Sequence, residues 1–333
     1  MSDAISVAVH DTVPVWRTDA PGDALRRTID LATAVEELGY RRYWVAEHHS
    51  TPALATSVPA VLAGQILAAT RTMRVGSGAV LLPNHPALTV AEEFGLLESL
   101  YPGRVDLGLG RASGGAPAAA ARLGDPRRLD FDAQLTELSG YFFNRGNDIE
   151  GVRAVPEPAS APHFWMVGSS TGSAAYAGRH GLPYVYAHSI VPGPAPAALA
   201  AYRDAFEPSS HLSEPYAGVA AVVVLADTDE QARAQAEPFV LGQILMRTVD
   251  HDTVLPTEQE TAAHRYTAEE ELFRRGRLDP QFIGSPATVA PGLQSLLAET
   301  GADELFALTQ VPSHDARIRS YELLAKVIAS MNV

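Results

Sequence analysis

No cysteine occurs in this 333-residue chain, and its only lysine is Lys326. The first absence removes thiol nucleophiles, thiolate zinc sites, iron–sulfur clusters and disulfides together. The second leaves a pyridoxal or other Schiff-base mechanism with one candidate, in a tail whose periodicity reads as helix. Basic charge is scarce as well. The balance of 25 Lys+Arg against 39 Asp+Glu, a formal net charge of -14, excludes the broad positive field that a general nucleic-acid or anionic-membrane binder requires. An anionic ligand must therefore be held by local dipoles and individual arginines. Long hydrophobic runs are missing too, so neither a signal peptide nor a transmembrane helix is expected, and a cytoplasmic protein is the default. With 46% hydrophobic residues the chain can still bury a full core, and its length suits an eight-stranded α/β barrel of roughly 250 residues or more.

Short apolar runs alternate with helix-period segments along the sequence, the pattern of repeated βα units on a parallel sheet. In the first unit, residues 5–9 read as a strand, Asp23 can cap a helix with the apolar face Leu25, Ile29, Ala32 and Val35, and Gly39 stops it before a strand at 43–46. Further strands are expected over 73–82, 104–109, 163–167, 183–187, 217–225 and 304–309. Helices are expected near 57–69, 86–100, 130–143, 171–180 and 196–206, from 229 onward, and over 315–331. Eight strands and no long Pro/Gly/Ser-rich linker predict an α/β fold, a single (β/α)8 TIM-barrel domain over 1–333. An open doubly wound sheet is the alternative, because periodicity does not register closure. The stretch 247–282, between strands seven and eight, is long enough to form a lid-like insertion over an active site.

Chemistry in a barrel sits at the C-terminal ends of the strands, so the residues after each apolar run matter most. The second run leads into Glu47-His48-His49. Alternation along an extended chain points His48 and His49 in opposite directions, which makes them poor joint ligands, and no metal is expected. Val9-His10-Asp11 also lacks the His-x-His of many metal-dependent barrel hydrolases. A single catalytic imidazole, His48, is the better use, with a satisfied core histidine as its bland counterpart and Glu47 in an orienting or barrel-filling role.

The fourth run ends Gly108-Leu109-Gly110-Arg111. With Gly114 it nearly matches a dinucleotide fingerprint, but the third glycine comes one residue too late. Here the glycines would let a flat ligand approach the backbone, and Arg111 supplies a fixed charge suited to phosphate. The segment Gly168-Ser169-Ser170-Thr171-Gly172-Ser173 follows a strand and opens a helix, so its amides, hydroxyls and dipole form an anion site with Arg111. Plain N-capping by serine is the simpler reading there, and capping is also the reading of Gly284-Ser285-Pro286. Gly168 to Gly172 satisfies G-x-S-x-G as well. That pattern carries a rival function, a serine hydrolase with Ser170 as nucleophile and Asp227 and His251 following in the right order. No HGGG-type oxyanion segment precedes it, and the reading leaves Glu47-His48-His49 and Arg111 without a task.

Taken together, the sequence from Leu38-Gly39-Tyr40 to Glu47-His48-His49, residues 74–83, Ala91-Glu92-Glu93-Phe94, the run from Leu100-Tyr101-Pro102-Gly103 to Arg111, Gly181-Leu182-Pro183 and Gly301-Ala302-Asp303-Glu304 resemble the bacterial luciferase-like, flavin-dependent monooxygenase superfamily. The branch is that of oxidoreductases from antibiotic gene clusters, and the shared order covers nearly the whole chain. The resemblance implies an oxidoreductase of secondary metabolism. It would use reduced FMN drawn from a separate flavin reductase, with O2 attacking the flavin C4a carbon and oxygen passing to a small organic substrate. It places His48 at the catalytic histidine, Gly78-Ala79 at a cis non-proline peptide under the flavin ring, and Arg111, Ser170 and Ser173 at the phosphate. Ser169 stands at a further cofactor-binding position, where the luciferase α chain has glutamate. The run Ala112-Ser113-Gly114-Gly115-Ala116 departs from the branch's proline and Gly-Thr-Asp-like turn. A deazaflavin-dependent oxidoreductase on the same fold and a flavin-binding protein without turnover are the alternatives, and members of the family often form homodimers.

Overall fold

A computed structural model of the chain describes residues 5–112, 117–123, 130–143, 148–249 and 252–331. Its centre is a ring of eight parallel strands: β1 Ser6–Asp11, β2 Arg42–Val45, β3 Arg74–Leu81, β4 Val105–Gly110, β5 His163–Gly168, β6 Tyr184–Ala187, β7 Ala217–Leu225 and β8 Glu304–Leu308. Each strand pairs with the next, and β8 returns to β1 with Ser6 opposite Glu304 and Val9 opposite Ala307. That last pairing closes the barrel and excludes the open sheet. Strands Arg42–Val45 and Glu304–Leu308 are buried throughout, because helices cover the outside of the barrel while side chains fill the inside.

The expected helices form, with a difference at the cap of the first, and one more, Pro117–Leu123, stands where the periodicity placed none. Helix Pro21–Glu37 has Ala20, not Asp23, as its N-cap. Pro21 presets the first helical φ, and Asp23, two residues further in, accepts the Ala20 N–H at 3.1 Å. Ser285 does precede helix Pro286–Thr300, but its side chain makes no capping bond to that helix. Asp229 accepts the Ser285 amide at 2.6 Å instead. The insertion after β7 contains helices Glu258–Ala263 and Ala268–Leu278 and a short strand, Phe282–Gly284, that adds to the sheet beside β7. A bridge between Trp16 and Leu255 ties it to the loop after β1.

Residues facing into the barrel build its interior in layers. At the base, Arg42 pairs with Asp106 and Glu304, each at 2.9 Å, and Arg74 reaches Asp106 at 2.8 Å. One residue pair further up each strand, Trp44, Trp165 and Phe306 fill the next layer, with ring centroids 4.4–5.9 Å apart. Asp11, pointing outward from β1, accepts from Arg317 at 2.6 Å and from Thr28 and Tyr43, which fastens helix His314–Met331 to the barrel wall.

Gly108 corrects part of the sequence reading. A Cβ there would lie 2.2 Å from the Ser77 carbonyl oxygen, so the glycine is required by the close approach of β3, not by a ligand. The approach coincides with a register shift in β3 between Ser77 and Val80. The Gly78–Ala79 peptide, inside that shift, is cis.

Candidate active site

A cavity of about 670 Å³ opens at the C-terminal end of the barrel. His48, Gly78, Ala79, Arg111, Ser169, Ser170 and Ser173 all line it, so the residues nominated from sequence come together at one place. The loop residues Ser113–Ala116, where the chain departs from the family pattern, lie outside the described residues.

Beyond Val45 the chain stays extended, with the His48 amide donating to Thr56 O at 2.8 Å and the Thr56 hydroxyl to Ala46 O at 2.5 Å. Alternation therefore separates His48 from His49, as expected, and it also puts Glu47 and His49 on one side. The buried Glu47 carboxylate accepts from His49 Nε2 at 2.8 Å, His85 Nε2 at 2.9 Å and the Leu81 amide at 3.0 Å. Burial alone would push its pKa up, but the His85, His49 and Leu81 donors outweigh that and hold it below the ordinary carboxylate value. The ligand-type atoms of Glu47, His49 and His85 lie within 4.8 Å of one another, a set the sequence did not bring together because His85 follows β3. Both imidazoles spend Nε2 on one carboxylate oxygen, so charge-assisted hydrogen bonds satisfy the group. The clamp locks the end of β2 to the end of β3 and fixes the backbone that carries His48.

Among the described residues His48 itself makes no side-chain bond, and its Nδ1 is buried without a partner there. Burial, then the neighbouring His10, lowers its pKa to about 4, against the pull of Glu47. The expected near-neutral titration is thus displaced, and His48 is an uncharged imidazole at pH 7. His10, which sequence reasoning weighed only as a metal ligand, is the second imidazole of the cavity, and its Nε2 donates to the Gly78 carbonyl. Burial lowers its pKa as well. Gly78 has no room for a side chain, since a Cβ would sit 2.8 Å from the Trp44 ring and 3.2 Å from His10 Nε2.

Burial holds His10, His48, His163, His188, His211 and His314 all below the ordinary imidazole value of 6.5. The unfolded chain therefore binds more protons than the folded one as pH falls from 6.5 toward about 4, the value reached by His48 and His163. Stability should be intact above pH 7 and decline through that window. Melting curves at pH 7.5, 6 and 5 check this, with His48→Gln reducing the slope. A melting temperature that is flat or rising toward pH 5 contradicts it.

On the β4–β5 rim, Arg111 is exposed and its guanidinium lies over the rings of Tyr176 at 5.2 Å and Phe131 at 5.9 Å. Ser170 is the N-cap of helix Thr171–Arg179, its Oγ accepting from Ser173 N at 3.1 Å. Ser173 Oγ donates to Ser170 O at 2.9 Å and lies 3.0 Å from the Tyr184 hydroxyl. The capping reading is met: the cap takes the Ser173 amide and leaves those of Thr171 and Gly172, which have no intrahelical partner at a helix start. For the hydrolase rival, Ser170 Oγ bonds to Ser173, and no histidine among the described residues bonds to it. His251 lies outside the described residues.

The remaining wall comes from helix Asp229–Thr248, the insertion and the loop after β8, where Phe239, Gln243, Arg277 and Gln310 line the cavity. None stood out in the sequence, since each lies in a helix or a loop with ordinary periodicity.

A family model described as luciferase-like monooxygenase matches residues 5–304. The protein YvbT of Bacillus subtilis is 39% identical over 324 residues, covering 96% of both chains. A luciferase-like monooxygenase of Escherichia coli K12 is 35% identical over 326 residues, covering 97% of each. Among solved structures, apo-MsnO8 superposes with a TM-score of 0.90 at 33% identity over 99% of both chains. The same fold, at far lower identity, occurs in a 3,6-diketocamphane monooxygenase component in complex with FMN (19%, TM-score 0.67) and in an F420-dependent secondary alcohol dehydrogenase (14%, TM-score 0.70). With the barrel, the cavity and these matches in agreement, the chain is an oxidoreductase that belongs to the luciferase-like monooxygenase family.

Proposed function

We propose that the enzyme is an FMN-dependent monooxygenase acting on a small organic substrate in secondary metabolism, the whole chain working as one domain. The observation that carries this is the pairing, in one cavity, of Arg111 and the Ser170–Ser173 helix start on the β4–β5 rim with two half-buried imidazoles, His10 and His48, beside Gly78–Ala79 on the β1–β3 rim. The residues present fit a flavin. Arg111, Ser169, Ser170, Ser173 and the helix N-terminus would hold its phosphate, Gly78 and Ala79 offer a flat backbone wall for its ring, and His48 Nδ1 is a buried polar atom in need of a partner. When bound and reduced, FMN supplies the two electrons by which O2 gives one oxygen atom to the substrate and the other to water.

The protein's own part is to orient and to move protons. His48, uncharged, can donate an N–H to oxygen from one ring nitrogen and accept a proton at the other. Glu47, His49 and His85 hold its backbone in place, and the aromatic layer below keeps bulk water out from the base. Gly108 is taken up by packing against Ser77, and on the proposed reading a separate reductase supplies the reduced flavin.

Titration calorimetry with FMN and with F420 tests the cofactor. FMN should bind more tightly, and Arg111→Ala should weaken it by about 1–3 kcal/mol, the range for a charge-assisted contact at an exposed position. Unchanged FMN affinity in Arg111→Ala, or tight F420 binding without FMN binding, would sink the proposal.

A further inference from the structure

Arg277 lies on helix Ala268–Leu278 of the insertion and lines the same cavity. Its Nε donates to Gln243 Oε1 at 3.3 Å, and its terminal nitrogens reach only the carbonyls of Ile190 and Ser189, each at a long 3.4 Å. Among the described residues it forms no ion pair. The contrast within one helix is direct: Arg274 is paired with Glu237 and Glu271, and Arg275 with Glu271. Arg247, set over the Phe273 ring at 4.8 Å, adds a second positive charge nearby instead of a counter-ion. Burial and Arg247 both work against the charged form of Arg277 and lower its pKa. In a chain with 39 acidic residues against 25 basic ones, a half-buried guanidinium held only by weak carbonyl contacts is costly unless a ligand completes it.

Position separates this charge from Arg111. Arg277 contacts the loop after β6, whereas Arg111 follows β4 and stands by the serine turn after β5. Apolar Ile190, Val222 and Phe239 line the cavity with it, beside the polar Ser189, Gln243 and Gln310. Resting on the flavin reading for the site, we propose that the organic substrate is an apolar acid whose carboxylate seats on the planar fork of Arg277, with its body along those apolar side chains. Arg277 is then a specificity-determining residue.

The test uses benzoate and benzamide, equal in shape and different in charge, titrated into the FMN-loaded protein and followed by the change in flavin absorbance. Benzoate should bind about tenfold more tightly than benzamide. Arg277→Gln should abolish that preference, Arg277→Lys should retain part of it, and FMN affinity should stay within about twofold in both. Equal binding of the two probes to the wild type, or a benzoate preference that survives in Arg277→Gln, overturns the proposal. So does a matching loss of FMN affinity, which would assign Arg277 to the cofactor. If the wild type binds no FMN, the flavin reading is what fails. The same titration of the cofactor-free protein, followed by tryptophan fluorescence, then still decides whether Arg277 selects the anion.

Discussion

Replacing His48 with alanine is expected to slow the reaction of the reduced, FMN-loaded protein with O2 by about 10²–10⁴, the usual worth of a positioned proton-transfer group. The fold should hardly notice. Among the described residues the imidazole makes no side-chain bond and carries a buried, unpartnered Nδ1, so its removal relieves an unmet polar atom. It borders an open cavity, and truncation leaves no dry void in the core. Because burial and His10 already hold its pKa at about 4, the acid limb of the rate should fall near that value and not near 6.5. Rapid mixing with oxygenated buffer, melting curves and FMN titration on His48→Ala separate the two roles. A variant that melts early, yet reacts like the wild type where folded, would make His48 structural.

The largest loss of stability should come from the opposite end of the barrel, at Asp106→Asn. The Asp106 carboxylate is fully buried and accepts from Arg42, Arg74 and the Trp44 indole at 2.8–3.0 Å. Burial pushes its pKa up, but the two guanidinium groups outweigh that and keep it charged. The amide would leave the buried Arg42 and the half-buried Arg74 with Glu304 as the one remaining carboxylate of the layer, at a cost of about 3–5 kcal/mol. An exposed control, Asp227→Asn, breaks a pair with Arg319 and should cost under about 1 kcal/mol. Denaturant unfolding of both variants checks the ranking. Equal, small losses would mean that the base of the barrel does not depend on this charge network.

Local signals account for what the sequence disclosed. Apolar runs ending in Glu47-His48-His49, in Arg111 and in the Ser169–Ser173 turn mark the ends of three strands, and a barrel gathers strand ends at one mouth. Two-residue alternation was enough to part His48 from His49. What stayed hidden depends on contacts between distant positions. His10 gains its setting from the Gly78 carbonyl, Glu47 from His85, and Gly108 from the Ser77 carbonyl. Arg277 sits among charges spaced like those of any solvated helix face, and only the ion pairs of Arg274 and Arg275 show that it lacks one of its own. The depressed pKa of His48 was equally unreadable, since burial and a second imidazole cause it.

The layer of Trp44, Trp165 and Phe306 makes the barrel a vessel with a sealed bottom. Whatever reacts inside finds no exit through that floor, and two molecules that share the mouth above it would compete for passage. On the proposed reading, a cofactor lying along Gly78–Ala79 would be seated before a substrate settles on the wall nearer the insertion, and product would clear before spent cofactor is exchanged. Turnover would then be governed by the order of traffic, with excess substrate acting as its own inhibitor whenever it reaches the mouth first.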